Sequence, residues 1–439
     1  MTNSTPLSRI LDHKRSEVAA RELKKPLLNF KHFLKPTDRH YRGGFIFECK
    51  KASPSEGLIR SDFDIKQIAK AYAPFASAIS VLTDEKFFEG RFEYIAEVRN
   101  EVSCPVLCKD FVISPYQVYE ARFYQADMVL LMLSVLDNEN YQACAKAAQE
   151  LNMDILTEVH DELELARAIK LGAKIIGVNN RDFKTLKVDL EVSRRLLPLV
   201  PAGTVKVVES GIQTHEHVRE FKSLADGFLV GTSLMKQPCL DLAVRELIFG
   251  CVKICGLTSV EDAKAAYDCG AYFGGLIFAK ESPRMIELET AEILTKQVAL
   301  NWVGVFVNAE ISQVCDVATK LNLFAVQLHG DESEAYVQEL RLKLPDSVEI
   351  WDLSGFGTRR LFDTPHETLR GGSGQSFDWS KIPSSIPKDR VILSGGLGKH
   401  NITQAEQLGF WALDVNSKVE EQPGRKSKQK LLELFEVLA

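Results

Sequence analysis

Charged residues that could exchange protons recur directly after short apolar runs in the first half of the chain. Glu48 and Lys50 are two residues apart, so on a β-strand both side chains would point to the same side. Lys109, Glu158 and Glu209 each end a later apolar run. Packed lysines and carboxylates perturb each other's pKa values, which can supply a matched acid and base. This half of the chain therefore predicts an acid–base site at strand ends.

The second half carries a different set of residues, beginning with a cysteine. Cys255 follows the first apolar run, and alone it would more often be a buried, inert residue than a reactive one. Arg284, then Gln327 and His329, then Asp363 follow later runs in that order. The ordered set, rather than any one residue, indicates a second site.

One pattern occurs once in each half of the chain. A β-rich run ends in Ser-Gly or Gly-Gly, a helical stretch follows, and a second run ends in small polar residues. The copies span residues 205–211 with 226–233, and residues 391–396 with 411–417. The last two strand–helix units of a (β/α)8 barrel hold a phosphate with such backbone N–H groups. The repeat therefore predicts two phosphate sites.

The elements that must position these residues alternate between short apolar runs and helical stretches. The runs lack clean polar alternation, which is typical of parallel strands buried on both faces. Eight units in each half predict an α/β chain of two fused (β/α)8 TIM barrels, over residues 1–250 and 251–439. A helix over residues 7–28, closed by Pro26, precedes the first barrel, and a helix over residues 240–249 closes it. The predicted strands are residues 45–50, 77–82, 106–109, 128–131, 155–158, 175–179, 205–209, 228–231, 252–255, 274–278, 302–307, 325–328, 348–351, 360–362, 391–393 and 413–415.

Composition and charge restrict the classes of function. A net charge of −6 and a pI near 5.9 argue against nucleic-acid or membrane-surface binding. We interpret the basic stretch 425–430 as the solvated face of a final helix. The nine cysteines show no disulfide or zinc framework, the N-terminus lacks a secretion signal, and no apolar run reaches the ~20 residues that cross a bilayer. We therefore expect a cytoplasmic protein with reduced thiols and no metal.

Specific motifs in residues 1–250 carry a family resemblance. They are residues 47–55, 107–111, 156–158, 178–182 and 208–211, read as FECKKASPS, LCKDF, LTE, VNNRD and VESG. Together they resemble indole-3-glycerol-phosphate synthase. The resemblance implies closure and decarboxylation of 1-(2-carboxyphenylamino)-1-deoxyribulose 5-phosphate to indole-3-glycerol phosphate, with loss of water and CO2.

The same resemblance implies roles for individual residues of the first half. Lys109 would be the general acid, Glu158 the base or the group that stabilises positive charge on nitrogen, and Lys50 the residue that holds the substrate carboxylate. Orienting roles would belong to Glu48, Asn179 and Glu209, and Ser210 would be a further residue of the catalytic set. Substrate or phosphate would be bound by Ser53, Arg181, Gly211, Gly231 and Thr232.

Residues 251–439 carry a second resemblance. The motifs are residues 252–258, 282–284, 326–330, 361–363, 371–379 and 393–396. In this order they resemble phosphoribosylanthranilate isomerase, which implies an Amadori rearrangement of an aldose-amine to a ketose-amine. Asp363 would be the acid and Cys255, as a thiolate, the base, which requires a partly exposed, electropositive setting. Arg284 would bind the anthranilate carboxylate, as a planar fork suits a carboxylate.

The remaining residues implied by this second resemblance would contact substrate or phosphate. They are Gln327, His329, Gly372, Ser373, Gly395, Gly396, Asp414, Asn416 and Ser417. Two features depart from the family: Asp352 stands where a lysine is common, and residues 364–370 form an unusually charged loop.

The predicted protein is a fused enzyme of tryptophan biosynthesis in which the C-terminal isomerase acts first. It is expected to act on small phosphorylated substrates as a monomer, without cofactor, nucleic acid or membrane. Two alternatives stay open: another phosphate-sugar barrel pair, such as histidine-pathway relatives, and a non-catalytic scaffold. The carboxylate-binding Arg284 and Lys50 argue against the first, and the intact candidate catalytic residues argue against the second.

Overall fold

The computed structural model describes residues 5–182, 185–364 and 377–439. The chain divides into two compact units between Val244 and Arg245, and each unit contains a closed barrel of eight parallel strands. The predicted fold class, two fused (β/α)8 barrels, is confirmed. Among the helices in the described ranges, none is long and apolar enough to span a bilayer.

The first unit contains one barrel and a small hairpin. Its strands, in chain order, are β1 (Gly44–Cys49), β2 (Ala52–Ser53), β3 (Gly57–Leu58), β4 (Ala78–Leu82), β5 (Val106–Lys109), β6 (Met128–Met132), β7 (Asp154–Val159), β8 (Ile175–Asn179), β9 (Val205–Glu209) and β10 (Gly227–Val230). β2 and β3 form the antiparallel hairpin, and the other strands close the barrel because β1 pairs with both β4 and β10.

Helices surround this barrel and continue to the boundary between the units. They are α1 (Pro6–Lys24), α2 (Ile65–Tyr72), α3 (Glu85–Phe88), α4 (Glu93–Arg99), α5 (Pro115–Phe123), α6 (Asn138–Glu150), α7 (Glu162–Lys170), α8 (Glu191–Leu196), α9 (His215–Phe221), α10 (Thr232–Met235) and α11 (Leu240–Phe249). The division between the units falls inside α11. Gly250 ends α11 in a left-handed conformation, with φ +72°, and its N–H donates to the carbonyl of Glu246.

The first helix is shorter than predicted. Thr5 caps its N-terminus through the Ser8 N–H, and Pro6 occupies the first turn, where a missing N–H costs little. The helix ends at Lys24 instead of residue 28, because Pro26 disfavours helical backbone in the residue before it. A short 3-10 turn, Leu27–Asn29, follows.

The second unit contains a barrel and a hairpin that follows its last strand. The strands are β11 (Cys251–Ile254), β12 (Phe273–Ile277), β13 (Asn301–Phe306), β14 (Ala325–Leu328), β15 (Glu349–Asp352), β16 (Arg359–Phe362), β17 (Val391–Leu393), β18 (Ala412–Val415), β19 (Glu420–Gln422) and β20 (Arg425–Lys426). The helices are α12 (Val260–Cys269), α13 (Leu288–Gln297), α14 (Ile311–Lys320), α15 (Glu334–Lys343), α16 (Ile402–Gln407) and α17 (Lys428–Leu438). β11 closes the barrel by pairing with β12 and β18, and each predicted barrel strand lies within one residue of an observed one.

The interpretation of residues 425–430 as the solvated face of a helix is wrong for the first two residues. Arg425 and Lys426 form β20, and α17 begins only at Lys428. Lys426 is buried, and its ammonium donates to Glu420 Oε1 at 2.8 Å and to Asn416 Oδ1 at 2.9 Å. The charge pattern alone could not separate this buried cation from its exposed neighbours.

Inward-facing positions change from apolar to polar along the barrel strands. In the first barrel, Leu107 and Val207 belong to the buried core, and Lys109 and Glu209 lie two residues later on the same faces. In the second barrel, core residue Ala412 precedes Asp414 in the same way. The cores therefore fill the barrels, and the polar groups gather at the carboxyl ends of the strands.

Candidate active sites

The first candidate site lies at the carboxyl ends of the first barrel. Lys109 ends β5, and its Nζ lies 3.9 Å from Glu48 Oε2, 3.9 Å from Glu158 Oε2 and 3.8 Å from Glu209 Oε2. All three carboxylates are at most 2% exposed. Lys50 Nζ lies 2.5 Å from the other oxygen of Glu48. The structure thus brings the two predicted lysines and three predicted carboxylates into one cluster.

Burial and the neighbouring charges shift the pKa values of the carboxyl groups in this cluster in different directions. Burial pushes the pKa of Glu48 upward, but Lys50 and Lys109 outweigh it, and the pKa lies below its ordinary value. Burial raises the pKa of Glu209 well above its usual range, and the neighbouring Glu158 raises it further against the opposing effect of Lys109. Burial lowers the pKa of Lys109, yet the three carboxylates outweigh it and the net shift is upward. The pKa values of two neighbouring carboxyl groups are therefore shifted in opposite directions, that of Glu48 downward and that of Glu209 upward.

All other predicted residues of the first site line two adjoining open cavities, which enclose about 800 and about 1640 Å³ when the adjoining solvent space is included. These residues are Ser53, Asn179, Arg181, Ser210, Gly211, Gly231 and Thr232. Ser210 and Gly211 have φ angles of +63° and +88°, so the chain turns sharply where β9 ends. Glycine is required at position 231 by close approach, since a Cβ there would lie 2.7 Å from Glu48 Oε1.

Sequence reasoning missed the buried Lys14 on α1. Its Nζ lies 2.7 Å from Asp84 Oδ2 and 2.8 Å from Asp110 Oδ1. Ile10 lies one turn earlier on α1 and lines the smaller cavity together with Asp84 and Asp110. α1 therefore packs over the mouth of the first barrel. The available signal was the spacing Ile10, Lys14, Val18, which places a lysine on the apolar face of the helix.

His160 is a second residue that sequence reasoning missed. Its Nε2 lies 3.4 Å from Glu158 Oε1, and its Nδ1 lies 3.2 Å from Glu164 Oε2. Glu164 also accepts the backbone N–H of His160 at 2.9 Å, which fixes the ring at the start of α7. Burial lowers the pKa of His160, but the two glutamates outweigh it and the net shift is upward.

The second candidate site is built around Lys253, another residue that sequence reasoning missed. Its Nζ donates to Cys255 Sγ at 3.2 Å, to Gln327 Oε1 at 2.8 Å and to Asp414 Oδ2 at 2.9 Å. The signal was available, because a lysine inside a buried apolar run must find polar partners. Three predicted residues from three different strand ends thus meet at one ammonium.

A chain of polar contacts leads from Lys253 through Gln327 and His329 to Asp363, and the donor and acceptor of each contact can be assigned. An ammonium can only donate, so Gln327 must face Lys253 with its oxygen and present its NH2 to His329 Nδ1, 3.4 Å away. His329 Nδ1 then accepts, and the ring proton lies on Nε2, which is 3.3 Å from Asp363 Oδ2. The candidate base and the candidate acid are therefore joined by one chain of polar contacts.

Cys255 does not have the partly exposed setting that its expected thiolate requires. It is only 4% exposed. Burial raises the pKa of its thiol, and Asp414 raises it further; Lys253 and Lys426 lower it but do not outweigh burial, so the net shift is upward. The setting contains nearby cations, as expected, but the thiol is buried because Ile277 and Val305 pack around it.

Arg284 is held by a residue from the hairpin after the last barrel strand. Its Nε and Nη2 donate to Glu420 Oε1 and Oε2 at 2.9 and 2.8 Å, a bidentate pair. Lys426 and the Gly424 N–H also donate to Glu420. Burial pushes the pKa of Glu420 upward, but Arg284 and Lys426 outweigh it, so the net shift is downward. Glu420 was not predicted from the sequence.

The remaining predicted residues of the second site follow neighbouring strands. Gly395 and Gly396 follow β17 with φ angles of +91° and +63°, and Asn416 and Ser417 follow β18. Gly372 and Ser373 lie outside the described residues, as do residues 365–370 of the charged loop.

Asp352 accepts the backbone N–H groups of residues 355, 356 and 357 at 2.9 to 3.0 Å. The carboxylate of Asp352 therefore caps a turn, and this gives the aspartate at an unexpected position a structural role. In the described ranges, no group of three or more His, Cys, Asp or Glu side chains is arranged to hold a metal ion.

Comparisons with known proteins match each half of the chain to one enzyme family. A family model for indole-3-glycerol phosphate synthase matches residues 7–247, and a model for N-(5'phosphoribosyl)anthranilate (PRA) isomerase matches residues 252–437. Tryptophan biosynthesis protein TrpCF of Vibrio cholerae is 48% identical over 98% of this chain and 95% of its own. The protein of the same name from Salmonella typhi is 47% identical over 99% of each chain.

Among solved structures, phosphoribosyl anthranilate isomerase from Thermus thermophilus has 31% identity over 43% of this chain and 98% of its own, with a TM-score of 0.39. The sequence comparisons support the predicted enzyme over the histidine-pathway and scaffold alternatives. The chain therefore belongs to the family of bifunctional tryptophan-biosynthesis enzymes that join an indole-3-glycerol phosphate synthase to an N-(5'-phosphoribosyl)anthranilate isomerase.

Proposed function

We propose that the two barrels catalyse successive steps and that the C-terminal barrel acts first. It would isomerise N-(5-phosphoribosyl)anthranilate to 1-(2-carboxyphenylamino)-1-deoxyribulose 5-phosphate. The N-terminal barrel would convert that product to indole-3-glycerol phosphate, with loss of CO2 and water. The observation that carries the proposal is the ammonium of Lys109 within 4 Å of three buried carboxylates, an arrangement suited to acid–base chemistry on a sugar-derived substrate.

In the synthase barrel, Lys109 is the proposed general acid. Its carboxylate neighbours keep it protonated, so it can protonate the departing hydroxyl group. Glu158 is the proposed base, or it stabilises positive charge on the substrate nitrogen. Lys50 is proposed to bind the substrate carboxylate, for which it must exchange its contact with Glu48. Proton transfer by placed groups contributes about 10²- to 10⁴-fold, so orientation by the remaining cluster residues supplies the rest.

In the isomerase barrel, Asp363 is the proposed acid and Cys255 the proposed base. Asp363 would protonate the ring oxygen and open the ribose ring. Cys255 would take the proton from C2, and return of a proton to C1 completes an isomerisation that gains and loses no atoms. Arg284 is proposed to bind the anthranilate carboxylate through Nη1, the arm that Glu420 does not engage.

The phosphate groups are proposed to bind where the last two strands of each barrel end, with further contacts from Ser53 after β1 and from Gly372 and Ser373 in the segment between β16 and β17. In the first barrel the binding groups are Ser53, Gly211, Gly231 and Thr232. In the second barrel they are Gly372, Ser373, Gly395, Gly396, Asn416 and Ser417. Turns with bare backbone N–H groups at these strand ends are the usual phosphate sites of (β/α)8 barrels.

We further propose that both reactions proceed without metal or organic cofactor, because each is an acid–base rearrangement of a substrate that carries its own phosphate. All nine cysteines are free thiols, which is typical of a reducing compartment such as the cytoplasm. A chain that already pairs two barrels has less need of a partner, so we propose a monomer.

The proposal is tested by giving purified protein phosphoribosyl anthranilate and following the indole-glycerol-phosphate absorbance. Cys255→Ala should abolish only the isomerase step and Lys109→Ala only the synthase step, each assayed with its own substrate. Cys239→Ala and Lys70→Ala, which change an exposed thiol and an exposed lysine, should affect neither step. Loss of both steps in either active-site variant would contradict separate sites.

A further inference from the structure

Lys253 is a buried cation of the second barrel with three hydrogen-bond acceptors, and the proposed reaction assigns it no role. It is fully buried on β11, two residues before Cys255 and on the same face. An ammonium has three N–H donors. They meet Cys255 Sγ, Gln327 Oε1 and Asp414 Oδ2, so each donor has one acceptor.

The barrel itself fixes this ammonium in place. Lys253 and Asp414 are register partners on the adjacent strands β11 and β18, so the ion pair follows directly from strand pairing. Gly275 on β12 leaves the space that the lysine occupies, since a Cβ there would lie 2.9 Å from Lys253 Cε and 2.8 Å from Cys255 Sγ. The Lys253 ammonium is therefore held against the sulfur from two sides and cannot turn toward a substrate.

A fixed cation is what a buried thiolate needs. Without an adjacent positive charge, a buried thiol stays protonated and cannot accept a proton. The charged groups that face Cys255 are Lys253 from its own strand, Asp414 from β18 and Lys426 from β20. Of the two lysines, only Lys253 donates a hydrogen bond to the sulfur.

We propose that Lys253 is a positioning residue of the isomerase, which stabilises the thiolate form of Cys255 by a direct ammonium–sulfur contact. Lys253 keeps its proton throughout, and the proton that moves is the one that Cys255 takes from the substrate. This role rests on the proposed function of Cys255 as the base.

The test is Lys253→Met in the full-length chain. Thiolate is followed over pH by its ultraviolet absorbance, as the difference between each protein and its Cys255→Ser counterpart. We expect the midpoint to rise by at least about one pH unit, which lowers the thiolate fraction near neutral pH about tenfold. The isomerase kcat should fall by at least a similar factor with a smaller change in KM, and should partly recover at higher pH.

Controls separate this contact from general damage. Synthase activity of the same chain should be unchanged, and Lys264→Met, which removes an exposed lysine of α12, should leave the midpoint where it is. If Lys253→Met fails to fold, Lys253→Met with Asp414→Asn removes both buried charges. Because Asp414 itself disfavours the thiolate, this double variant should show a smaller rise of the midpoint than Lys253→Met. An unchanged midpoint, or a change in KM alone, would overturn the role of Lys253. Full isomerase activity in Cys255→Ser would instead overturn the proposed base.

Discussion

Lys109 and Lys253 are both lysines surrounded by acceptors, but their contacts differ in kind. The side chain of Lys109 is 15% exposed and lies 3.8 to 3.9 Å from its carboxylates. Lys253 is fully buried and donates hydrogen bonds of 2.8 to 3.2 Å. The longer contacts leave Lys109 able to turn toward a substrate, whereas the shorter ones hold Lys253 still. The first geometry suits proton transfer and the second suits orientation.

The upward shift of the Glu209 pKa leads to a prediction about substitutions of single residues. Because burial and Glu158 favour the protonated form of Glu209, an amide is the closest substitute for that favoured form. Glu209→Gln should therefore reduce synthase kcat by less than about tenfold, whereas Glu158→Gln should cost at least about 10²-fold, as expected for a general base. Steady-state kinetics of the two variants decides this. Equal losses would mean that Glu209 acts in its ionised form.

At the scale of the strands, glycines make room for the charged side chains. A Cβ at Gly177 on β8 would meet Glu209 Oε1, just as a Cβ at Gly275 on β12 would meet Cys255 Sγ. Neither glycine has a positive φ, so alanine is compatible with the backbone at both positions. At these two positions a glycine thus leaves space for a side chain of the candidate site on the neighbouring strand.

These two glycines supply reciprocal controls. Gly177→Ala should displace Glu209 and reduce only synthase activity, and Gly275→Ala should displace Cys255 and Lys253 and reduce only isomerase activity. Overpacking of this kind costs about 1–3 kcal/mol, so both proteins should fold. Assays of both activities on each variant check the pattern. A variant that lowers both activities equally would show that the strain spreads beyond one barrel.

The strands and the candidate residues at their ends were predictable because each barrel strand is a short apolar run followed by a polar residue. The contacts between those residues were not predictable. Lys253 and Asp414 are 161 positions apart, and only the closure of the barrel makes them register partners. Lys14 was missed for a similar reason, since its acidic partners Asp84 and Asp110 lie on loops after two different strands.

For the whole molecule, two closed barrels with separate cores predict that unfolding is not a single transition. Urea should remove synthase and isomerase activity in two distinguishable steps. Lys14→Met leaves two buried carboxylates without their cation, which costs about 3–5 kcal/mol. It should lower only the transition that follows synthase activity.

Lys24→Met, an exposed position on the same helix, is the matched control and should move neither transition. Circular dichroism recorded alongside both activities identifies which barrel unfolds. A shift of both transitions in Lys14→Met would mean that the barrels unfold as one cooperative unit.

Helix α11 has a consequence for separating the two enzymes genetically. Its second half serves the second unit, where Arg245 stacks on the ring of Tyr267 and Phe249 packs edge-on against Phe435. Its first half belongs to the first unit. A gene cut at the boundary between the units would split one helix into two fragments, each too short to be stable alone. A cut after Gly250 would instead keep α11 whole in the first protein, and the second protein would lose the contacts that Arg245 and Phe249 make with it.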